Sequence, residues 1–133
     1  LAFWYVISLF MSYPYPLAYF NELAGGPKNG YRVLRDSNLD WGQGLIALKK
    51  YIDRNHIEKI RLYYFGSARP EYYGILFDMV KEDEFTQQKP GIYAISAQYL
   101  DVFVWAKDQK PIAKAAWSIL IYEVGNEIGG TNE

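Results

Sequence analysis

Cysteine is absent from this 133-residue chain. Its absence excludes disulfides, thiolate nucleophiles and cysteine-ligated zinc, and leaves the compartment open, since reducing and oxidising locations both tolerate such domains. A single histidine, His56, is too few for a multi-histidine metal site or a histidine relay. Its place in a polar helix-exit segment reads as solvent-exposed. No run of Lys or Arg occurs and the net charge is −1; phosphate neutralisation needs a basic patch, so nucleic acid is not an expected partner. The N-terminus lacks the basic start and small-residue cleavage pattern of a signal peptide. The apolar run from Leu1 to Met11 falls short of the roughly 20 residues needed to cross a bilayer. There is no phosphate-binding glycine loop, no Gly-x-Gly-x-x-Gly and no Gly-x-Ser-x-Gly nucleophile elbow. No Asn-x-Ser/Thr glycosylation acceptor is present.

What is present is an ordinary globular balance of apolar and charged residues, enough for one domain with one core. The aromatic content is unusual, with 13 tyrosines. Core packing accounts for most of them, and Tyr72, Tyr73 or Tyr99 are candidates for a platform against sugar faces. The apolar start is broken by Pro14 and Pro16. It reads either as a core helix or as the stub of a membrane-interface helix, for which Trp4, Tyr5, Tyr13, Tyr15 and Tyr19 are suited.

Gly25-Gly26-Pro27 begins a turn cluster. Tyr31 to Leu34 reads as a short strand, followed by a polar loop from Asp36 to Asp40. Trp41, Leu45, Leu48 and Ile52 recur at helical spacing, which predicts a helix to about Arg54 with Asp40 as its cap and Gln43 as the capping-box partner. Ile60 to Phe65 is a buried strand. Pro70 opens a short helix to about Phe77, Lys81 to Lys89 is a charged, solvated loop, and Ile92 to Ala97 is a third strand. Tyr99 to Ala106 suggests a short helix, and Ala116 to Val124 a fourth strand whose direction stays open. Strands alternating with helices imply parallel βαβ units. The expected fold is a small α/β sandwich: a mainly parallel sheet of about four strands flanked by helices, plus an N-terminal apolar helix.

In open α/β sheets ligands sit at the C-terminal ends of the strands. Asp36, Ser37, Asn38 and Asp40 follow the first expected strand, and Gly66-Ser67 follows the second. If both strands are parallel neighbours, these residues share one polar edge with Gln43 and Arg69, a set able to accept and donate hydrogen bonds to sugar hydroxyls. The competing reading is architectural: Asp40 caps the helix, Asp36 and Asn38 close Asx-type turns, and Trp41 joins the core. Asp36 and Asp40 offer the hard oxygens that Mg²⁺ or Ca²⁺ prefers, but two carboxylates make a thin metal site. No metal, cofactor or catalytic residue is assigned.

The strings Tyr19-Phe20-Asn21-Glu22-Leu23-Ala24-Gly25-Gly26-Pro27 and Asp36-Ser37-Asn38-Leu39-Asp40-Trp41-Gly42-Gln43 resemble the C-terminal region of polytopic bacterial and archaeal glycosyltransferases. These are relatives of the dolichyl-phosphate-mannose protein mannosyltransferases. Tyr64-Phe65-Gly66-Ser67-Ala68, Tyr72-Tyr73-Gly74, Pro90-Gly91 and Tyr93-Ala94 followed by Ser96 extend the similarity over most of the chain. The resemblance implies residues 1–24 as a membrane-proximal helical segment and 25–124 as an extracytoplasmic soluble domain; the residues 125–133 that follow read as a loose tail. It implies an accessory domain of an enzyme using a polyprenyl-phosphate-linked sugar donor, with the catalytic acid in a loop outside this sequence and the isolated chain inactive. The implied partners are the membrane part of the parent protein and a glycan or lipid-linked sugar. A glycan-binding module and a small carboxylate-dependent hydrolase are the alternatives.

Overall fold

The computed structural model describes Val6, Ile7, Phe10 and residues 43–125. Helix α1, Gln43–Arg54, buries Leu45, Leu48 and Ile52 along one stripe, as the helical spacing predicts. It ends in a Schellman arrangement: Ile57 N donates to Ile52 O at 3.0 Å and His56 N to Asp53 O at 3.3 Å, bonds that satisfy the last orphan carbonyls. His56 takes the left-handed position there, with φ 53°. The lone histidine is thus an exposed helix-stop residue.

Five strands follow: β1 Ile60–Tyr63, β2 Phe77–Met79, β3 Gly91–Ser96, β4 Ala113–Ala115 and β5 Ile119–Val124. They form one sheet in the order β2-β1-β3-β5-β4. β1 runs parallel to β2 and β3, while β5 runs antiparallel to β3 and β4. This mixed sheet corrects the expectation of a mainly parallel sheet of four strands flanked by helices. The expected strand from Ala116 to Val124 is the turn and second arm, β5, of a hairpin whose first arm is β4. Its turn bends at Ala116 and Trp117, with φ 48° and 64°, and closes with Ser118 N donating to Ala115 O at 3.1 Å. A tight turn of this kind can only join antiparallel strands. Two non-glycine residues in the left-handed region cost about 1–2 kcal/mol each, which the buried ladder of β5 offsets.

The expected flanking helices are also replaced. Pro70–Tyr73, Glu82–Phe85, Ala97–Tyr99 and Trp105–Lys107 are short 3-10 turns, so α1 is the only α-helix with defined limits among the described residues. Val6, Ile7 and Phe10 are helical and exposed. Among the described residues no helix is long and apolar enough to cross a membrane; of the expected N-terminal apolar helix only Val6, Ile7 and Phe10 are among the described residues. The expected strand Tyr31–Leu34, the Asp36–Asp40 loop and the Asp40 cap lie outside the described residues, as does the tail after Gly125.

Strand alternation divides the core between the two faces. Ile60, Leu62, Ala94, Ile119 and Ile121 pack with Leu45, Leu48, Ile52 and Ile75 under α1. Tyr93, Ile95, Leu120 and Tyr122 pack with Leu100, Phe103 and Trp105 on the other side. That second layer is an edge-to-face aromatic cluster. Tyr63 meets Phe85, Tyr99 and Phe103 at centroid distances of 5.3, 4.7 and 5.4 Å, and Trp105 meets Tyr93 and Tyr122 at 5.2 and 5.5 Å. Such pairs add about 0.5–1.5 kcal/mol beyond area burial, so aromatic packing does the work of a second helical layer.

Candidate functional site

Among the described residues, two places carry concentrated polar chemistry. The first is the loop leaving β1. Its start is clamped to the neighbouring strand by Phe65 N donating to Ser96 Oγ at 2.9 Å. Gly66 follows with φ 144°, and any Cβ there would collide with the Tyr64 ring, so only glycine turns the chain at this point. Ser67 is then exposed in a bend. Arg69 precedes the 3-10 turn Pro70–Tyr73, which Gly74 closes in the left-handed conformation with its N–H donating to Glu71 O at 3.0 Å. The Arg69 guanidinium lies 5.9 Å from the Tyr72 ring centroid, and Tyr72 is 81% exposed. The loop therefore presents a hydroxyl, a cation and an aromatic face to solvent on a fixed backbone.

Of the residues expected at the polar edge, Ser67 and Arg69 come together in this loop. Gln43 opens α1 and is half-buried; the Pro70–Tyr73 turn packs against that helix. Asp36, Ser37, Asn38 and Asp40 lie outside the described residues. Of the platform candidates, Tyr72 alone faces solvent broadly. Tyr99 packs on the aromatic cluster and Tyr73 on the α1 side of the core.

The second concentration centres on Glu84, which sequence reasoning placed in a solvated loop and the structure buries to 1% exposure. Its Oε2 accepts from Tyr93 Oη at 2.7 Å and from Arg61 Nη1 at 3.0 Å. Its Oε1 accepts from Lys81 N at 3.4 Å and faces Lys89 Nζ at 3.7 Å. The backbone carbonyl of Glu84 accepts from Trp105 Nε1 at 2.9 Å. Arg61 and Tyr93 are register partners on β1 and β3. Gly91, with φ 139° and Arg61 Nε 3.4 Å from where its Cβ would stand, leaves the guanidinium room to pass. Burial, reinforced by the hydrogen bond to Glu84, pushes the Tyr93 hydroxyl up to about 12. At the rim, the Lys89 ammonium donates to Asp83 Oδ2 at 2.7 Å, which holds the Asp83 carboxyl below its ordinary range and raises Lys89.

A buried acid beside Arg and Tyr is a pattern that active sites share. Here both carboxylate oxygens are engaged, and the Tyr93 hydroxyl also accepts from Lys89 N at 2.9 Å. The group ties β1, β3 and the Glu82–Phe85 turn together, and its role is architectural. A signal was available in the sequence: Tyr and Trp in a core need partners for O–H and N–H, and the charged 81–89 segment is the nearest supply before Tyr93. Among the described residues no three His, Asp or Glu side chains gather in a way that could hold a metal ion.

No protein-family model, curated protein or solved structure matches this chain.

Proposed function

We propose that this chain is an accessory domain of a membrane glycosyltransferase that uses a polyprenyl-phosphate-linked sugar, placed on the extracytoplasmic side, and that the loop carrying Ser67, Arg69 and Tyr72 is its sugar-facing edge. The observation that carries the reading is the Arg69–Tyr72 pair on that exposed loop. A ring offers its face to the apolar side of a sugar, while the guanidinium and the Ser67 hydroxyl offer donors to ring oxygens and hydroxyls. The resemblance of its sequence strings to those of polytopic transferases is the ground for the enzyme class in this reading. Several of their residues have architectural roles in the fold: Gly66 turns the loop, Ser96 clamps it and Tyr93 holds Glu84. A hydrolase reading has no support from Glu84, whose oxygens are engaged.

The test uses the full-length protein in membranes, with a polyprenyl-phosphate sugar donor and acceptor. The expected result is transfer by the full-length protein, no turnover by residues 1–133 alone, and a raised KM with little change in kcat for Arg69→Ala/Tyr72→Ala. Turnover by the isolated chain, or a coding sequence without membrane helices ahead of Leu1, would overturn the proposal.

A further inference from the structure

A cleft of about 420 Å³ opens where β3 begins and β5 ends, within the roughly 300–1,000 Å³ of small-molecule sites. Gln88, Pro90, Gln109, Glu123, Val124 and Gly125 line it. Two of these side chains are bonded to each other: Gln109 Nε2 donates to Gln88 Oε1 at 3.1 Å. The backbone beneath them is anchored. On either side of Gln88, Gln87 N donates to Asp83 O at 3.1 Å and Lys89 N to Tyr93 Oη at 2.9 Å. Beyond Gln109, Ile112 N donates to Ile121 O at 2.8 Å. Fold stability does not account for the amide pair. An exposed amide–amide bond replaces bonds to water and gains little, while fixing two long side chains costs rotamer freedom. The bond uses one N–H of Gln109 and one lone pair of Gln88, and an amide side chain has two of each.

We propose that this cleft binds a monosaccharide unit through its hydroxyls. A hydroxyl both donates and accepts, so neighbouring hydroxyls of a sugar ring answer an N–H of Gln88 and the amide oxygen of Gln109 together. The mutual hydrogen bond sets the two amides in place before the ligand arrives, which lowers the ordering cost of binding. Pro90 and Val124 offer apolar surface to the ring carbons. The amides are uncharged, which suits a neutral ligand. The cleft lies at the opposite end of β3 from Ser96, the residue that clamps the loop of Ser67, Arg69 and Tyr72. It is a second place in the molecule and does not depend on the function proposed for that loop.

Glucose, galactose, mannose and N-acetylglucosamine, each with its methyl glycosides, serve as probes in an NMR titration of the isotope-labelled full chain. The side-chain amide signals of Gln88 and Gln109 and the backbone amides of Val124 and Gly125 report binding. The expected result is a saturable shift with at least one sugar. Followed at Val124 and Gly125, binding is weakened roughly tenfold in Gln88→Ala/Gln109→Ala and unchanged in Gln87→Ala, an exposed neighbour outside the lining. Circular dichroism confirms that both variants fold. Binding of a free sugar but not of its methyl glycosides identifies a free monosaccharide as the ligand; binding of a glycoside as well identifies the end unit of a glycan. No saturable shift with any probe, undiminished binding in the double variant, or equal weakening in Gln87→Ala would overturn the site. The titration involves no sugar transfer, so its failure is distinct from a failure of the transfer reaction in the full-length protein.

Discussion

Replacing Glu84 with alanine removes the acceptor that holds Arg61, Tyr93 and the Lys81 backbone together. Breaking a buried ion pair by deleting one partner costs about 3–5 kcal/mol. Arg61 is 27% exposed, so its orphaned charge regains part of its hydration and its share falls toward the lower limit. The Tyr93 hydroxyl keeps its bond from Lys89 N but loses its own acceptor, a loss of about 1 kcal/mol or more. Taken together, Glu84→Ala should lower stability by about 3–4 kcal/mol, a large part of the roughly 5–15 kcal/mol of a typical domain. Glu84→Gln keeps an acceptor for Tyr93 and loses the charge, and should cost about 1–2 kcal/mol. Glu84→Ala combined with Tyr93→Phe should cost less than the sum of the two by about 1 kcal/mol, because both remove the same hydrogen bond. Denaturant melts with comparison of midpoint and slope measure all of this. A loss below about 1 kcal/mol for Glu84→Ala at unchanged slope would refute the assignment of Glu84 as the tie between β1 and β3.

Tyr93 titrates higher in the folded protein than its ordinary value, so its contribution is fully present below pH 10 and is lost as the pH rises from there through about 12. The alkaline fall in stability should be shallower in Tyr93→Phe, and equal slopes would contradict the burial argument. His56→Gly relieves an exposed left-handed residue and should raise stability by about 0.5–1 kcal/mol, measured by thermal melt; a loss would mean that the His56 side chain does more than end α1. Gly66→Ala should destabilise by about 1–3 kcal/mol and broaden or shift the amide signals of Phe65 and Ser67, since a Cβ there meets Tyr64; a neutral effect would mean that the loop is not held as described.

The elements legible in the sequence were those with a local signal. Leu45, Leu48 and Ile52 mark α1 by spacing alone, and the runs around Leu62 and Ala94 mark β1 and β3 as buried strands. The β4–β5 hairpin was not legible because Ala116-Trp117 carries none of the Gly, Asn or Asp that turns with positive φ favour; tertiary packing imposes the bend. The 3-10 turns were read as helices or polar loop because the aromatic layer that fixes them joins residues as distant as Tyr63 and Phe103. Glu84 sits between Asp83 and Phe85 in a charged run, and what distinguishes it from its acidic neighbours is Arg61, 23 residues away. Ser67 and Arg69 were placed on the loop leaving a strand, and the structure has them there. The remaining polar-edge candidates, Asp36, Ser37, Asn38 and Asp40, fall outside the described residues.

The most direct measurement of the proposed function is sugar transfer from a polyprenyl-phosphate donor by the full-length protein, compared with its Arg69→Ala/Tyr72→Ala variant at matched membrane expression. A domain that presents the Ser67–Arg69–Tyr72 loop to the sugar predicts a KM raised by about tenfold for the variant with kcat nearly unchanged. Identical kinetics for the two proteins, or full turnover by residues 1–133 without any membrane portion, would contradict it.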